Sequence, residues 1–360
     1  MPMPNLLRET YAGRRVFVTG HTGFKGAWLS LWLAGLGARV SGYALAPATR
    51  PDLFGLAGVE SALHRHDIGD VRYGAALAAA VRGAQPEIVF HLAAQPLVRE
   101  SYRDPVETWS TNVMGTVLLL EAVRACPSVR AVVVVTTDKC YDNREWLWGY
   151  RECDPLGGHD PYSASKAGTE LVAASYRASF LREAGVLVAT ARAGNVIGGG
   201  DWSADRLLPD AARAVATGVP LRIRNPDATR PWQHVLEPLH GYLRLGAHLL
   251  AGREDCADAF NFGPAAADNR TVGELLAALQ SHWPALRWEV DEAGRTGGPH
   301  EARHLYLDSA RAQRLLGWWA VWPLDVALRA TARWYEAVHA DPAGARGVTE
   351  RQIAEFGRAV

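Results

Sequence analysis

Residues 14–26 read RRVFVTGHTGFKG, and this stretch decides the fold. A short run of β-branched and aromatic residues ends at Gly20, and an apolar helical pattern continues from Phe24 onward. Gly20, Gly23 and Gly26 stand between the two patterns at the spacing G-x-x-G-x-x-G. Glycine permits a tight turn and a close backbone approach, and the free N–H groups at a helix N-terminus bind a pyrophosphate. The stretch therefore predicts a strand, a turn and a helix that together hold a dinucleotide.

Further strand candidates follow at intervals, separated by helical segments, at 38–45, 87–94, 131–137 and 186–193. Strands that alternate with helices predict a parallel sheet covered on both faces. We therefore expect an α/β fold, a Rossmann-type doubly wound parallel sheet, over residues 1–193. Residues 194–360 are expected to form mainly a smaller α+β lobe for substrate, with about 230–262 returning to the first domain. The later part shows glycine-rich loops, a short basic strand at 221–225 and helical patterns near 205–217, 271–280 and 308–316.

The composition narrows the class of protein. Hydrophobic residues make up 48% of the 360 residues and charged residues 21%, which is ordinary globular usage. Lys plus Arg equals Asp plus Glu at 38 each, so no bulk positive field attracts nucleic acid. The four cysteines are widely spaced and indicate neither a disulfide framework nor a zinc site. The N-terminus lacks a signal-peptide pattern and no apolar run reaches the roughly 18–20 residues of a membrane span, so we expect a cytoplasmic protein.

The end of the second strand bears on the choice between NAD and NADP. NAD-binding units often carry an acid there to hold the ribose hydroxyls, but residues 42–45 read GYAL. Arg50 is either a ligand of a 2′-phosphate, which favours NADP, or a solvated loop arginine. Asp67, expected to follow a third strand, either accepts a hydrogen bond from the adenine amino group or caps a helix. The loop thus predicts a nicotinamide dinucleotide, and both NAD and NADP stay open on these residues.

Tyr162 and Lys166 stand four residues apart behind Asp160 and Pro161, which together make a good helix start. The two side chains are therefore expected on one face of a helix. The ordinary pKa of a tyrosine hydroxyl is about 10, and a neighbouring ammonium and a positive nicotinamide ring lower it toward neutrality. Such a pair is able to take a proton from a carbinol while hydride leaves the same carbon. Isolated Tyr-x-x-x-Lys pairs are common on helices, but the glycine loop and parallel strands upstream favour the catalytic interpretation.

The strand at 131–137 runs into Thr136, Thr137, Asp138 and Lys139. The carboxyl ends of strands are where α/β sheets place their sites. Oxidation or epimerisation at one carbinol needs only the Tyr/Lys pair and a hydroxyl such as that of Thr137. Asp138 and Lys139 are therefore either a solvated turn or groups that serve a further chemical step.

Several strings, taken together with the glycine loop, are similar to a known family. They are FHLAAQPLVRESYRDP (90–105), TTDKCYDN (136–143), WGYRE (148–152), GGHDPYSASK (157–166), GNVIGGGDW (194–202) and RPWQHV (230–235). They resemble the nucleotide-sugar branch of the extended short-chain dehydrogenase/reductase family, and within it the 4,6-dehydratases that act on CDP-glucose. The resemblance covers about residues 14–240 and thins toward the C-terminus.

The resemblance implies a three-step reaction in one closed site, with NAD as a bound cofactor. Tyr162, helped by Lys166, deprotonates the sugar 4-hydroxyl while hydride leaves carbon 4. Water is then eliminated across carbons 5 and 6, and hydride returns to carbon 6. Asp138 protonates the departing 6-hydroxyl. Lys139 acts at carbon 5, either as a base or as a cation that stabilises the enolate, and related dTDP-glucose dehydratases carry a glutamate at this position.

The resemblance also assigns binding residues. For the cofactor it implies Gly20, Thr22, Gly23, Phe24, Lys25, Gly26, Asp67, Ile68, Leu92, Ala93, Ala94 and Gln95, together with Tyr162 and Lys166. For the nucleotide diphosphate of CDP-glucose it implies Asn195, Gly200, Asp201, Trp202, Arg224 and Arg230. Guanidinium forks and backbone N–H groups match phosphate oxygens, which is the physical reason for the arginines and the glycine-rich loop.

The helical patterns at about 104–125 and 162–183 carry apolar residues on more than one face, so each must be covered twice. Related enzymes pair these helices across a dimer, and we expect a homodimer or a dimer of dimers. Two other activities stay open: a nucleotide-sugar 4-epimerase, which has no need of Asp138 and Lys139, and a 4,6-dehydratase for another nucleotide hexose. The resemblance further suggests a deoxysugar for surface polysaccharide such as O-antigen.

Overall fold

The computed structural model describes residues 3–265, 268–291 and 304–360. The strands in these ranges are β1 (Arg15–Thr19), β2 (Arg39–Ala44), β3 (Arg65–Ile68), β4 (Ile88–His91), β5 (Ala131–Val135), β6 (Leu187–Ala193), β7 (Val196–Ile197), β8 (Leu221–Ile223), β9 (Thr229–Pro231), β10 (Gln233–His234), β11 (Ala259–Phe262), β12 (Asn269–Thr271) and β13 (Trp288–Val290).

The α-helices of the described ranges are α1 (Met3–Tyr11), α2 (Phe24–Gly35), α3 (Leu53–Leu56), α4 (Gly74–Ala84), α5 (Val98–Arg103), α6 (Pro105–Trp109), α7 (Gly115–Arg124), α8 (Pro161–Tyr176), α9 (Leu207–Thr217), α10 (Leu236–Leu250), α11 (Val272–His282), α12 (Ala310–Leu316), α13 (Leu324–Ala340) and α14 (Ala345–Ala359). Single π-turns at Ser110–Met114 and Arg177–Leu181 continue α6 into α7 and extend α8.

Seven parallel strands form the central sheet, in the order β11-β6-β5-β4-β1-β2-β3. The inner strands are largely buried, and all five residues of β5 are both apolar and buried. Strands buried on both faces read as continuous hydrophobic runs, and helices must then cover both sides of the sheet. The predicted Rossmann-type doubly wound sheet is confirmed. Its strand order reverses between β1 and β4, which creates the crevice where such sheets bind ligands.

The third strand is the element that the sequence prediction misplaced. Asp67 and Ile68 were expected to follow it, yet they lie inside β3, where Asp67 is paired in register with Tyr43 of β2. The strand is short, polar and partly exposed, so it carries no apolar periodicity to mark its end. The alternative role of Asp67 as a helix cap is also wrong, because the next helix, α4, begins only at Gly74.

The second half of the chain adds small sheets beside the main one. Three short pairs, β7 with β10, β8 with β13 and β9 with β12, lie outside the central sheet, whereas β11 joins its edge beside β6. One large hydrophobic cluster extends from α1 to α14 and includes both halves. The indole N–H of Trp28 on α2 donates to the carbonyl of Gly199 at 2.9 Å, which fixes the first half against the later glycine-rich loop. Among the described residues, no helix has the length and apolar character needed to cross a bilayer.

Candidate active site

A cleft of about 1090 Å³ opens at the carboxyl edge of the sheet, beside the point between β1 and β4 where the strand order reverses. Its wall contains the glycine loop, the ends of β4, β5 and β6, the start of α8 and the loop before α9. Open α/β sheets bind their ligands at this place. The volume is at the upper end of the range for small-molecule pockets, which suits more than one extended ligand.

The glycine loop is held in a tight turn. Gly20 has φ of 78°, in the left-handed region that favours glycine. A Cβ atom at Gly26 would lie 2.1 Å from the Gly20 carbonyl oxygen, so only glycine lets the start of α2 approach the turn. The Thr22 hydroxyl donates to the Leu45 carbonyl at 2.8 Å and ties the loop to the end of β2. The N-terminus of α2 therefore faces the cleft with free N–H groups, which is the arrangement that binds a pyrophosphate.

Most of the predicted cofactor residues line the cleft: Gly20, Thr22, Gly23, Phe24, Lys25, Gly26, Leu92, Ala93, Ala94, Tyr162 and Lys166. Asp67, Ile68 and Gln95 do not belong to its wall. The Asp67 carboxylate pairs with Arg65 at 2.6 Å, and Ile68 is exposed. The Gln95 amide donates to Thr108 at 2.9 Å and braces the chain after β4. Cofactor roles for these three residues stay predictions.

The sequence analysis missed Asp70, which follows β3, is buried and lines the cleft. Burial raises its pKa, but hydrogen bonds from Arg72 outweigh burial and hold the pKa below the ordinary value. An acid just past the carboxyl end of an edge strand was the available signal. Arg50, the candidate for a 2′-phosphate, is exposed and lies outside the cleft wall.

The start of α8 places the predicted catalytic pair. The Asp160 carboxylate accepts from the backbone N–H of Ser163 at 2.9 Å, and Pro161 occupies the first turn. This cap sets the rotation of the helix, so Tyr162 and Lys166 both reach the cleft and both are largely buried. The Lys166 ammonium donates to the Val135 carbonyl at the end of β5, at 3.1 Å. The helix and the strand are thereby joined at the site.

Burial shifts the pKa of both groups. It raises the pKa of the Tyr162 hydroxyl to about 12, against a hydrogen bond with Thr137 that lowers it. It lowers the pKa of Lys166 to about 8, against the nearby Glu170 carboxylate. In the protein alone, burial disfavours the phenolate more than its neighbours favour it. The predicted lowering of the Tyr162 pKa includes the positive nicotinamide ring and stays a prediction.

The end of β5 supplies three polar groups in one turn. The Thr137 hydroxyl donates to Asp138 Oδ1 at 3.0 Å and accepts from the backbone N–H of Lys139 at 3.3 Å. Asp138 is 2% exposed, which excludes the interpretation of a solvated turn. Burial raises the pKa of Asp138, although Lys139 and the Thr137 hydrogen bond oppose the shift. A raised pKa lets a carboxyl group hold its proton to higher pH, which a proton donor requires.

A buried ion pair behind the site supports these elements and was not predicted. Glu170 lies one turn after Lys166 on α8, and its Oε2 contacts Arg192 of β6 at 2.8 Å. The same carboxylate accepts from Thr190 at 2.6 Å and from Thr136 at the end of β5. Paired and hydrogen-bonded, a buried charge of this kind holds α8, β5 and β6 in one register. Its spacing of four residues from Lys166 was the signal in the sequence.

The predicted substrate residues divide into two groups. Asn195, Gly200, Asp201, Trp202 and Arg230 line the cleft. Arg224 follows β8, is exposed and does not belong to the cleft wall. The structure therefore brings every predicted substrate residue except this arginine to the cleft.

Arg206 also lines the cleft and was missed by the sequence analysis. Its guanidinium contacts the buried Asp201 carboxylate at 3.1 Å. The loop before α9 carried no periodic pattern that could single out this arginine. Trp202 packs edge-on against Trp334, with ring centroids 5.6 Å apart, so the indole belongs partly to the core.

The cleft wall carries cationic side chains among carboxylates. Lys25, Lys139, Lys166, Arg206 and Arg230 all line it. Burial, then repulsion from Arg206 and Lys166, lowers the pKa of Lys25 to about 7. The repulsion among these cations falls when diphosphate groups enter the cleft.

The fold and site define an extended short-chain dehydrogenase/reductase, because a glycine loop at the switch point faces a Tyr-x-x-x-Lys pair across the cleft. Residues 17–331 match the family model described as GDP-mannose 4,6 dehydratase, and the chain belongs to this family of NAD-dependent epimerases and dehydratases.

Two curated relatives cover most of the chain. A CDP-glucose 4,6-dehydratase of Salmonella typhimurium is 49% identical over 336 residues, which are 92% of this chain and 92% of that protein. A dTDP-glucose 4,6-dehydratase of Streptomyces griseus is 31% identical over 264 residues, which are 71% of this chain and 73% of that protein.

Solved structures agree with the fold. A dTDP-glucose 4,6-dehydratase of Streptomyces venezuelae with NAD bound superposes with a TM-score of 0.73 at 27% identity, covering 91% of this chain and 99% of that one. An epimerase of Methanothermobacter thermautotrophicus superposes with a TM-score of 0.78 at 21% identity, covering 94% of this chain and 97% of that one. At 21% identity, the similarity to the epimerase shows only that the two proteins share a fold.

Proposed function

We propose that this chain is a CDP-glucose 4,6-dehydratase that converts CDP-glucose into CDP-4-keto-6-deoxyglucose and water. The observation that carries the proposal is the buried Thr137-Asp138-Lys139 turn at the end of β5, in the same cleft as Tyr162 and Lys166. An epimerase has no step that requires a buried acid beside the base. The 49% identical relative that bears this activity supports the choice.

The cofactor of the proposal is NAD. The Gly20–Gly26 loop and the N-terminus of α2 would hold its pyrophosphate. Leu92 and Ala93, which lie against Gly20, line the cleft together with Ala94. The absence of a cleft-facing arginine near the end of β2 is consistent with NAD, since Arg50 lies outside the wall. Bound there, NAD would supply the hydride acceptor for carbon 4 of the sugar and the hydride donor for carbon 6.

The chain's own residues move the protons. Tyr162 accepts the proton of the 4-hydroxyl, and the Lys166 cation lowers the cost of the phenolate. Asp138, whose pKa burial raises, gives its proton to the departing 6-hydroxyl, which leaves as water. Lys139 serves carbon 5 from the same turn, as a base or as a cation beside the enolate.

The other side of the cleft holds the nucleotide. Asn195, the backbone N–H groups near Gly200 and the guanidinium of Arg230 are placed to receive the diphosphate. The cytosine base is assigned from the relative that acts on CDP-glucose. We propose a cytoplasmic location on the same grounds, with the N-terminal part as the cofactor domain and the later part mainly as the substrate lobe.

The proposal includes a homodimer. Residues Pro105, Val106, Trp109, Ser110, Val113 and Met114 line an open apolar groove on the α6 side. Leu171 on α8 and Phe180 just after it are large apolar side chains that are also exposed, at 61% and 42%. A second copy of the chain that packs these helices against its own would cover both.

The test of the activity is a panel of CDP-, dTDP-, UDP- and GDP-glucose, each incubated with the enzyme and NAD. We expect a 4-keto-6-deoxy product, formed fastest from CDP-glucose, and none from the Tyr162→Phe variant that keeps the cleft but lacks the acidic hydroxyl. A product that retains its 6-hydroxyl would assign an epimerase instead. Faster turnover of another nucleotide sugar would overturn the choice of CDP-glucose.

A further inference from the structure

Lys166 and Glu170 reach the end of β5 side by side. The two residues lie four apart on α8, so their side chains leave the same face of the helix. The Lys166 ammonium donates to the carbonyl of Val135 at 3.1 Å, and the hydroxyl of the next residue, Thr136, donates to Glu170 Oε1. One turn of α8 is thus bonded to two consecutive residues of the strand end, by a cation and by a carboxylate.

The other oxygen of the Glu170 carboxylate is fixed from β6. Oε2 accepts from the Thr190 hydroxyl at 2.6 Å and from the Arg192 guanidinium at 2.8 Å. Arg192 is held in turn, because it donates to the Tyr141 hydroxyl at 2.7 Å. Lys166 and Glu170 are each only 4% exposed. The carboxylate is therefore held beside Lys166 and away from solvent.

A buried ion pair is a weak source of net stability. Removing two charges from water costs about as much as their attraction gains, and apolar residues of similar volume often stabilise a core equally well. The pair of Glu170 and Arg192 therefore invites a functional explanation, and Lys166 is the functional group beside it. A buried lysine shifts its pKa readily, whereas an arginine stays charged, so the charge on Lys166 depends on its neighbours.

The groups that face Lys166 from other elements leave Glu170 as its negative neighbour. They are His91 at the end of β4, Cys140 in the turn after β5 and Lys25 at the start of α2. Burial lowers the pKa of His91 to about 3 and raises the pKa of the Cys140 thiol, so both are neutral at working pH. Lys25 brings a like charge. Among the described residues around the ammonium, the Glu170 carboxylate is the group that favours the charged form.

We propose that Glu170 is a positioning residue that acts through Lys166: its carboxylate keeps the ammonium charged and directed at the end of β5. The inference rests on the proposed function, in which the Lys166 cation favours the Tyr162 phenolate. Arg192 and the two threonines keep the carboxylate in place. Glu170 does not belong to the cleft wall, so it acts without touching the substrate.

The variant Glu170→Gln tests this role, because glutamine keeps the size of the side chain and removes its charge. The chain has three lysines among its 38 Lys and Arg residues, so lysine labelled with carbon-13 at Cε gives three NMR signals. The signal of Lys166 is identified by its loss in Lys166→Arg. We expect its titration midpoint to fall by about one pH unit or more in Glu170→Gln, since an opposite charge has been removed.

The same variant should change the pH dependence of turnover. Burial lowers the pKa of Lys166 to about 8 in the wild-type protein. With a lower midpoint, the lysine of the variant has lost most of its charge at pH 8 but keeps it at pH 6. Product formation from CDP-glucose should therefore fall about fivefold or more at pH 8 and change little at pH 6.

Glu237→Gln is the matched control. Glu237 is also buried, and its carboxylate accepts from the backbone N–H groups of Val321 and Trp322, outside the cleft wall. This variant should lose stability and leave the Lys166 midpoint at its wild-type value. The double variant Glu170→Gln with Arg192→Met leaves no unpaired buried charge, so it serves if the single variant does not fold. Its Lys166 should also titrate below the wild-type midpoint.

Two results would overturn the inference. One is a Lys166 midpoint that stays at the wild-type value when Glu170 is replaced. The other is a rate that falls equally at pH 6 and pH 8, because such a loss reflects a structural defect alone. Failure of the proposed function looks different: the wild-type enzyme would form no 4-keto-6-deoxy product from CDP-glucose, while the Lys166 signal would still respond to Glu170→Gln.

Discussion

Burial of the Asp138 carboxyl group affects both the stability of the fold and the proposed chemistry. It is 2% exposed, and burial raises its pKa against the opposing effects of Lys139 and Thr137. In the folded chain the group therefore binds its proton more tightly than in the unfolded chain. Its contribution to the free energy of unfolding is fully present below the ordinary aspartate pKa of about 4 and is lost as the pH rises through the raised folded value.

The variant Asp138→Asn separates the effect of Asp138 on water loss from its effect on stability. Asparagine still accepts from the Thr137 hydroxyl but has no ionisable proton, so we expect water loss to slow by about 100-fold or more. The variant should also unfold at a higher denaturant concentration than wild type at pH 7, with the difference shrinking as the pH falls to about 4. Product formation and urea unfolding at the two pH values measure both effects. An Asn variant that releases water at the wild-type rate would remove Asp138 from the acid role.

At the residue scale, spacing and its context in the chain together located much of the chemistry. Tyr162 and Lys166 were predicted from their four-residue separation and the Asp160 cap, and the structure brings both to the cleft. The Tyr162 pKa was not predictable, since its direction depends on the packing around the phenol. Arg206 was missed for a related reason: only the folded loop brings it to Asp201 and the cleft.

At the scale of elements, apolar runs in the sequence predicted the positions of strands correctly, and polar runs did not. β1, β2, β4, β5 and β6 lie within the stretches expected from their β-branched residues. β3 was misplaced because its residues are polar and partly exposed. The π-turns that interrupt the helices after α6 and α8 leave no mark in the residue pattern, since they differ from α-helix only in hydrogen-bond register.

The glycine loop provides the test at this scale. A Cβ atom in Gly26→Ala would lie 2.1 Å from the Gly20 carbonyl oxygen, so the turn must open and the N–H groups of α2 must move. We expect a loss of about 1–3 kcal/mol in the free energy of unfolding and at least tenfold weaker binding of NAD. Denaturant unfolding and a titration with NAD measure the two losses.

Gly35→Ala is the matched control, because Gly35 ends the same helix and nothing lies within 4 Å of its added Cβ. This variant should keep the wild-type affinity for NAD and gain up to about 1 kcal/mol of stability. Equal affinity for NAD in the Gly26 variant and the Gly35 variant would contradict the assignment of the loop.

At the scale of the whole molecule, the two halves share one hydrophobic cluster and one cleft. The sequence predicted the doubly wound sheet and the side of the sheet that carries the site. The small strand pairs of the later half were not foreseen individually, because each strand is only two or three residues long and is defined by tertiary pairing.

The proposed dimer belongs to this scale. Trp109 is 42% exposed beside the apolar groove of α6, and Trp109→Glu would place a charge on that surface. We expect wild-type protein to scatter light as a particle of twice the chain mass and the variant to shift toward the monomer. Val219→Glu, at an exposed apolar residue between α9 and β8, should remain dimeric. Wild-type protein that is monomeric at working concentration would contradict the dimer.

The central claim is that one cleft oxidises carbon 4 and reduces carbon 6 of the same sugar. CDP-glucose carrying deuterium at carbon 4, converted by the enzyme with NAD and followed by NMR, tests this most directly. We predict that the label appears at carbon 6 of a 4-keto-6-deoxy product. Deuterium that returns to carbon 4 of a sugar still bearing its 6-hydroxyl would contradict the account.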